Sequence, residues 1–166
     1  MWISHAEEKS MLTIEHAQRR DLADILDLQR LCYRENAERY GDFSIPPLTQ
    51  TIDELNAEYD ESVILKAHER GKIIGSIRGR EEKGVCLIGR VIVHPDYQNR
   101  GIGKALMRGI EELFAQARRF ELFTGANDAK NLHFYESMGY KRFREELHGN
   151  VMFVFLEKKP GGTPGE

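Results

Sequence analysis

The sequence predicts a mixed α/β (α+β) domain, and three patterns carry that expectation. Strand-like and helix-like periodicities interleave in the order strand, two helices, three strands, helix, strand, helix, two strands. The run Val85 to Val93 is apolar on both faces, as in a central strand covered on each side. Arg70-Gly71 and Gly149-Asn150 are hairpin signals between neighbouring strand candidates. The 166 residues suit one domain with one hydrophobic core, and 40% apolar with 31% charged residues are ordinary values for a folded soluble chain.

Leu12 to Ala17 reads as the first strand. The run after Arg20 reads as a helix, with Leu22, Ile25, Leu26 and Cys32 at helical spacing and Leu28 and Leu31 widening the apolar face. Gly41 stops it, and Ile45-Pro46-Pro47 cannot continue it. Thr51 to Tyr59 is expected as a short helix, with Thr51 as N-cap and Glu54 closing a capping box. Three strands follow over Ser62 to His68, Lys72 to Arg80 and Val85 to Val93. Gly89 is expected to mark a bulge or a close backbone approach in the last of them. Ile102, Ala105, Leu106, Ile110, Leu113, Phe114 and Ala117 then recur at helical spacing, which predicts a helix over Gly101 to Ala117. Phe120 to Thr124 is a strand and Asp128 to Met138 a helix stopped by Gly139. A hairpin over Lys141 to His148 and Val151 to Lys158 closes the domain, with Val151, Phe153 and Phe155 on one face. Residues 1–10 read as an N-terminal extension and 11–158 as the domain. Residues 159–166, with three glycines and two prolines, read as a disordered tail. No internal repeat and no domain boundary is visible.

A net charge of −3 argues against a nucleic-acid partner. No stretch reaches the roughly 18 apolar residues of a membrane span, and the first ten residues lack a signal-peptide core. Cys32 and Cys86 lie far apart in apolar surroundings and read as buried free thiols, which fits a reducing cytoplasm. His94, His133 and His148 show no metal-ligand spacing, so no metal is expected. Charge distribution says more than its total. Glu35 to Glu61 holds eight acids and one base, while Tyr97 to Ile110 holds Arg100, Lys104 and Arg108 with no acid. Two ligands of opposite charge, or two solvated helix faces, would both account for this.

The chemistry is concentrated in Val91-Ile92-Val93-His94-Pro95-Asp96-Tyr97-Gln98-Asn99-Arg100-Gly101-Ile102-Gly103-Lys104-Ala105-Leu106. A buried strand ends at Pro95, a tight loop follows, and a helix opens at about Arg100 or Gly101. The first turn of a helix leaves its N–H groups unpaired and partially positive. Glycines there let a phosphate approach the backbone, and Arg100 and Lys104 add full charges. A P-loop would need Gly at Gln98 and Ser or Thr at Ala105, and the dinucleotide fingerprint would need Gly at Leu106.

Gln98-Asn99-Arg100-Gly101-Ile102-Gly103 resembles the Gln/Arg-x-x-Gly-x-Gly/Ala signature of the GCN5-related N-acetyltransferases (GNAT). Asn131-Leu132-His133-Phe134-Tyr135-Glu136-Ser137-Met138-Gly139-Tyr140 resembles the family's Asn…Leu-Tyr-x-x-x-Gly-Phe/Tyr segment, and the two motifs stand in the family's order. The resemblance covers about Leu12 to Leu156. It implies a mostly antiparallel central sheet of about seven strands flanked by about four helices. It also implies an acetyl-CoA-dependent N-acetyltransferase that takes acetyl-CoA as cosubstrate, needs no metal and transfers the acetyl group to a primary amine. The pantetheine arm would pair with the backbone of Val91, Ile92 and Val93. The pyrophosphate would sit on amides among Gln98, Asn99, Arg100, Gly101, Ile102, Gly103 and Lys104, and Asn131 would reach the pantetheine arm or the adenosine side. Tyr135 aligns with the tyrosine proposed in many relatives to protonate the leaving thiolate, and the Val93 N–H is placed to polarise the thioester oxygen. Many relatives carry a base Glu on the strand before the motif. Here Cys86, Gly89 and Arg90 stand there, so Glu35, Glu54, Glu81 or a solvent relay must substitute. His94 reads as a turn-stabilising histidine rather than a base. The segment that lines the acceptor side in the family overlaps the acidic stretch, with Asp42, Asp53 and Glu54, so a cationic small molecule or a peptide amine is the expected acceptor. A module that senses acyl-CoA without turnover is the alternative, and a homodimer is among the assemblies the family uses.

Overall fold

The computed structural model describes residues 11–161. The expected extension over 1–10 and residues 162–166 of the expected tail lie outside the described residues. Seven strands form one sheet: β1 (Thr13–His16), β2 (Val63–Glu69), β3 (Lys72–Glu82), β4 (Val85–Val93), β5 (Arg119–Gly125), β6 (Lys141–His148) and β7 (Val151–Lys158). Their order across the sheet is β1-β2-β3-β4-β5-β7-β6. The pairs β1–β2, β5–β7 and β6–β7 are antiparallel, and β4–β5 is parallel. Five helical segments accompany the sheet: α1 (Leu22–Tyr40), α2 (Pro46–Thr49), α3 (Ile52–Glu61), α4 (Ile102–Leu113) and α5 (Ala129–Ser137). The mixed, mostly antiparallel sheet of the sequence reading is therefore present. One helical turn more than expected is α2, because a proline that cannot continue a helix is well placed at its first position.

The chain divides into two compact units. The first comprises the described part of Met1–Arg78 together with Arg90–Ile110. Its core gathers Ala17, Leu22, Ile25, Leu26, Leu55 and Ile64, each large aliphatic side chain contributing about 1.5–3 kcal/mol by leaving water. Helix α1 ends at Gly41 in the left-handed conformation (φ 65°). Helix α3 starts with the capping box read from sequence, Glu54 N donating to Thr51 Oγ1 at 3.2 Å and Thr51 N to Glu54 Oε1 at 3.1 Å. The β2–β3 turn places both Arg70 (φ 54°) and Gly71 (φ 76°) at positive φ, the geometry that suits a two-residue hairpin to twisted strands. Helix α4 buries Ile102, Leu106, Met107 and Ile110. It seats closely because residue 75 of β3 is glycine. A Cβ there would stand 3.0 Å from the Ile92 carbonyl, 3.1 Å from Leu106 Cδ1 and 3.2 Å from Ile102 Cγ2.

Two local expectations are corrected. Helix α4 stops at Leu113, and residues 114–118 turn toward β5, although Phe114 and Ala117 keep the helical spacing. The irregularity in β4 falls on Arg90 (φ 50°), not on Gly89, where an added Cβ would meet nothing within 4 Å.

The second unit comprises Gly79–Gly89 and the described part of Glu111–Glu166. Phe120, Leu122, Val154, Leu156 and Tyr140 are buried in it. Phe153 and Phe155 share a face as the alternation predicts, stacking with Phe123 at centroid distances of 5.3 Å. That face is the more exposed one, and Val154 and Leu156 supply the core.

Gly75→Val should lower the unfolding free energy by about 1–3 kcal/mol, because the new methyls have no volume to enter. Gly89→Ala should change it by less than about 0.5 kcal/mol. Urea titration of both variants checks this, and equal midpoints would contradict the close seating of α4.

Candidate functional site

In the first unit the end of β4, a short turn and the start of α4 form one continuous structure. Ile92 is buried, and the His94 N–H donates to the Ile74 carbonyl at 2.7 Å, tying the strand end to β3. The Val93 carbonyl accepts from Cys32 Sγ of α1 and from Gln98 Nε2 of the loop, each at 3.4 Å. A 3-10 turn over Pro95–Tyr97 follows, capped by His94, whose Nδ1 accepts from the Asp96 N–H at 3.1 Å. That bond gives His94 the turn-stabilising place read from sequence.

Asn99 (φ 63°) and Gly101 (φ 80°) then reverse the chain with left-handed backbone. A Cβ on Gly101 would meet no atom within 4 Å, so what this position demands is the dihedral itself. The first helical bond of α4 runs from the Ala105 N–H to the Gly101 carbonyl at 3.0 Å. The amides of Gly101, Ile102, Gly103 and Lys104 thus have no carbonyl four residues back. They carry the positive end of a helix of twelve residues. Lys104 is exposed beside them with no carboxylate partner among the described residues. Arg100 is committed otherwise. Its guanidinium lies 5.3 Å from the Tyr97 ring centroid and 3.5 Å from Glu69 Oε2. The opening therefore takes its charge from backbone amides and Lys104 more than from Arg100. Unpaired amides at the start of a helix, with an exposed lysine beside them, suit an anion such as a diphosphate.

In the second unit the β4–β5 register runs from Val85↔Arg119 to Leu87↔Glu121 and stops there. Helix α5 begins at Asp128, whose Oδ1 accepts from the Asn131 N–H at 3.1 Å and whose Oδ2 accepts from Asn131 Nδ2 at 2.9 Å. Tyr135 is 7% exposed, edge-on to Tyr140 at 6.3 Å. Tyr140 donates its hydroxyl to Glu111 at 2.8 Å, and Lys158 Nζ lies 3.1 Å from both Glu111 oxygens. Burial, with the Glu111 charge beside it, holds the Tyr140 phenol strongly protonated. The sequence-predicted residues thus form two groups: Val91–Val93 with Gln98–Lys104 in the first unit, and Asn131 with Tyr135 on α5.

The substitute bases are placed as follows. Glu54 closes the α3 capping box, Glu35 is exposed at 3.6 Å from Arg39, and Glu81 is exposed on β3. Sequence reasoning missed a buried network around Arg78 of β3. Arg78, 3% exposed, donates through Nη1 to Glu58 at 2.9 Å and to Gln50 at 3.2 Å, and through Nη2 to Gln29. Gln29 was legible: it falls seven residues after Leu22 on the buried stripe of α1, where a polar side chain must have a buried partner. Among the described residues no group of three His, Cys, Asp or Glu could hold a metal ion, and no helix is long and apolar enough to cross a membrane.

The family model for the acetyltransferase (GNAT) family matches residues 22–140, the span that holds β4, the turn, α4 and α5. The chain belongs to the GNAT family. It is 26% identical over 144 residues to the UPF0157 protein YqkA of Bacillus subtilis, covering 86% of this chain and 41% of that protein. It is 28% identical over 151 residues to an uncharacterized N-acetyltransferase of Methanocaldococcus jannaschii, covering 86% of this chain and 66% of that one. The chain thus spans under two thirds of the length of each of these relatives. The structure of the PaiA N-acetyltransferase from Thermoplasma acidophilum in complex with coenzyme A superposes with a TM-score of 0.75 at 18% identity, covering 90% of this chain and 99% of that one. The last likeness is one of fold.

Both cysteines are free; burial pushes the Cys32 thiol up to about 11 and the Cys86 thiol up to about 12. Since the thiolate is the nucleophile, both should react with iodoacetamide at pH 7.5 at least about tenfold more slowly in the native than in the urea-unfolded chain. Equal rates, followed by mass spectrometry, would contradict the burial of both thiols.

Proposed function

We propose that this GNAT protein is an N-acetyltransferase that uses acetyl-CoA to acetylate the primary amine of a small molecule or peptide. The observation that carries the reading is the start of α4: four amides without helical partners, a left-handed glycine and an exposed lysine gathered in one turn. Coenzyme A brings a diphosphate to match those donors and a thioester that an amine can attack.

The residues of this chain divide the work. Amides from Gly101 to Lys104 hold the diphosphate, with Gln98, Asn99 and Arg100 shaping the loop before them. Val91, Ile92 and Val93 offer strand-edge backbone to the pantetheine amides, which the early stop of the β4–β5 register at Leu87 supports. The Val93 N–H polarises the thioester oxygen. Asn131 orients the arm from α5, and Tyr135 gives its phenolic proton to the departing thiolate. A phenol with a reference pKa near ~10 holds its proton at neutral pH and can donate it as the C–S bond breaks; passing it to a thiolate whose acid has a pKa near ~8.5 costs about 2 kcal/mol, and solvent then returns a proton to the phenolate. The amine must arrive unprotonated. With Glu54 held in its cap, a solvent relay takes that proton in this reading.

Release of free thiol from acetyl-CoA, followed across a panel of amines, tests the proposal. Turnover with at least one amine is expected. Binding of coenzyme A with no thiol release from any amine would leave an acyl-CoA sensor instead. Tyr135→Phe should cut kcat by about 10²-fold or more while leaving the Kd for coenzyme A within about twofold. Gly101→Val, which forces a branched side chain into left-handed backbone, should weaken coenzyme A binding by at least about tenfold in calorimetry. Unchanged affinity would contradict the role given to the α4 start.

A further inference from the structure

Two arginines, Arg78 of β3 and Arg90 of β4, differ in their partners. Arg78 pairs with Glu58: its Nη1 lies 2.9 Å from Glu58 Oε2, which also accepts from Gln50 Nε2 at 2.8 Å. Gln29 is fully used as well, donating to the Pro47 carbonyl at 2.8 Å and to Gln50 at 3.0 Å while accepting from Arg78. Arg90 of β4 has no carboxylate partner among the described residues. Its guanidinium lies 6.0 Å from the Tyr33 ring centroid. The Nε atoms of Arg78 and Arg90 are both buried without a hydrogen-bond partner.

The charge does not balance. Arg78, 3% exposed, is paired with Glu58, and the half-buried Arg90 is left without a carboxylate among the described residues. Burial disfavours the protonated form of Arg78 and the Glu58 charge favours it, while the Arg90 charge works against it, so the two cations feel each other. Buried cations are ordinarily paired, and a site that is short of one anion is complementary to one. Arg90 also occupies left-handed backbone (φ 50°) inside a strand, a distortion of the kind that re-aims a side chain and is found next to active sites. It stands three residues before Val93 on the strand that our proposed function assigns to the pantetheine arm.

We infer that the acceptor amine carries an oxyanion, a carboxylate or a phosphate, which Arg90 binds through its guanidinium with the Tyr33 hydroxyl beside it and Arg78 behind. This deepens the acetyltransferase reading and rests on it for the amine. It would replace the cationic acceptor expected from the acidic stretch, where Glu58 is already paired with Arg78 and Asp60 with Arg19. Arg90 is a substrate-binding residue on this account. A planar guanidinium fork matches both oxygens of a carboxylate or phosphate, which an ammonium does not.

The test uses matched amines with the full chain: glucosamine 6-phosphate against glucosamine, 4-aminobutyrate against propylamine, and spermidine as a purely cationic arm. The anionic member of at least one pair should show kcat/KM at least about tenfold above its uncharged partner, through KM. The two pairs tell phosphate from carboxylate. Arg90→Gln should erase the preference, and Arg90→Lys, which keeps the charge and loses the fork, should weaken it several-fold. Turnover that favours spermidine or the uncharged partners, or a preference unchanged in either variant, overturns the oxyanion inference and leaves the transferase intact. Silence with every amine defeats the transferase reading instead. In that case titration of inorganic phosphate and of glutarate into protein saturated with coenzyme A decides: saturable binding lost in Arg90→Gln upholds the anion site, and no binding overturns it.

Discussion

Four backbone amides at the start of α4 have no acceptor within their own helix, and the surrounding structure serves to keep them in place and open. A helix leaves these donors orphaned wherever it begins, and most proteins cover them with a capping side chain. Here Gly101 supplies the turn without supplying a cap. Everything near it holds position. His94 closes the preceding turn, Gly75 lets α4 settle against Ile92, and the buried face of Ile102, Leu106, Met107 and Ile110 fixes the helix axis. An anion site made of backbone is cheap in side chains and strict in geometry, since one wrong dihedral misdirects several donors at once.

The same strand has a second duty. Its last residues end in the bonds from Cys32 and Gln98 to Val93, while Arg90 a little earlier breaks the extended backbone. Left-handed backbone on a side-chain-bearing residue costs about 1–3 kcal/mol, and it persists where neighbouring structure over-determines it. On the neighbouring strand β3, Arg78 is held by bonds to Gln29, Gln50 and Glu58.

Much of this was legible in the sequence because periodicity and punctuation are local. The strands of β1 to β7, the capping box at Thr51, the Gly41 stop and the Arg70-Gly71 turn all follow from residue types within a few positions of each other. What failed was local evidence pointing the wrong way. Phe114 and Ala117 keep a helical period past the true end of α4, Pro46-Pro47 reads as a stop and is also a start, and Gly89 drew attention from the neighbouring Arg90. The polar network was out of reach for a different reason. Its members lie up to 49 residues apart, Gln29 to Arg78, and only the fold says which polar side chains share an interior. The loop and α4 motif was readable because it lies in one short segment, whereas the Arg78 network is assembled from α1, α3, β3 and the residues after α2.

The most direct measurement is an amide-resolved nuclear magnetic resonance titration of the full chain with coenzyme A. The account requires the largest shifts at the amides of residues 99 to 104, with Val91 to Val93 following and the Arg78 network little changed. Shifts centred elsewhere, with Gly101, Ile102, Gly103 and Lys104 unmoved at saturation, would contradict it.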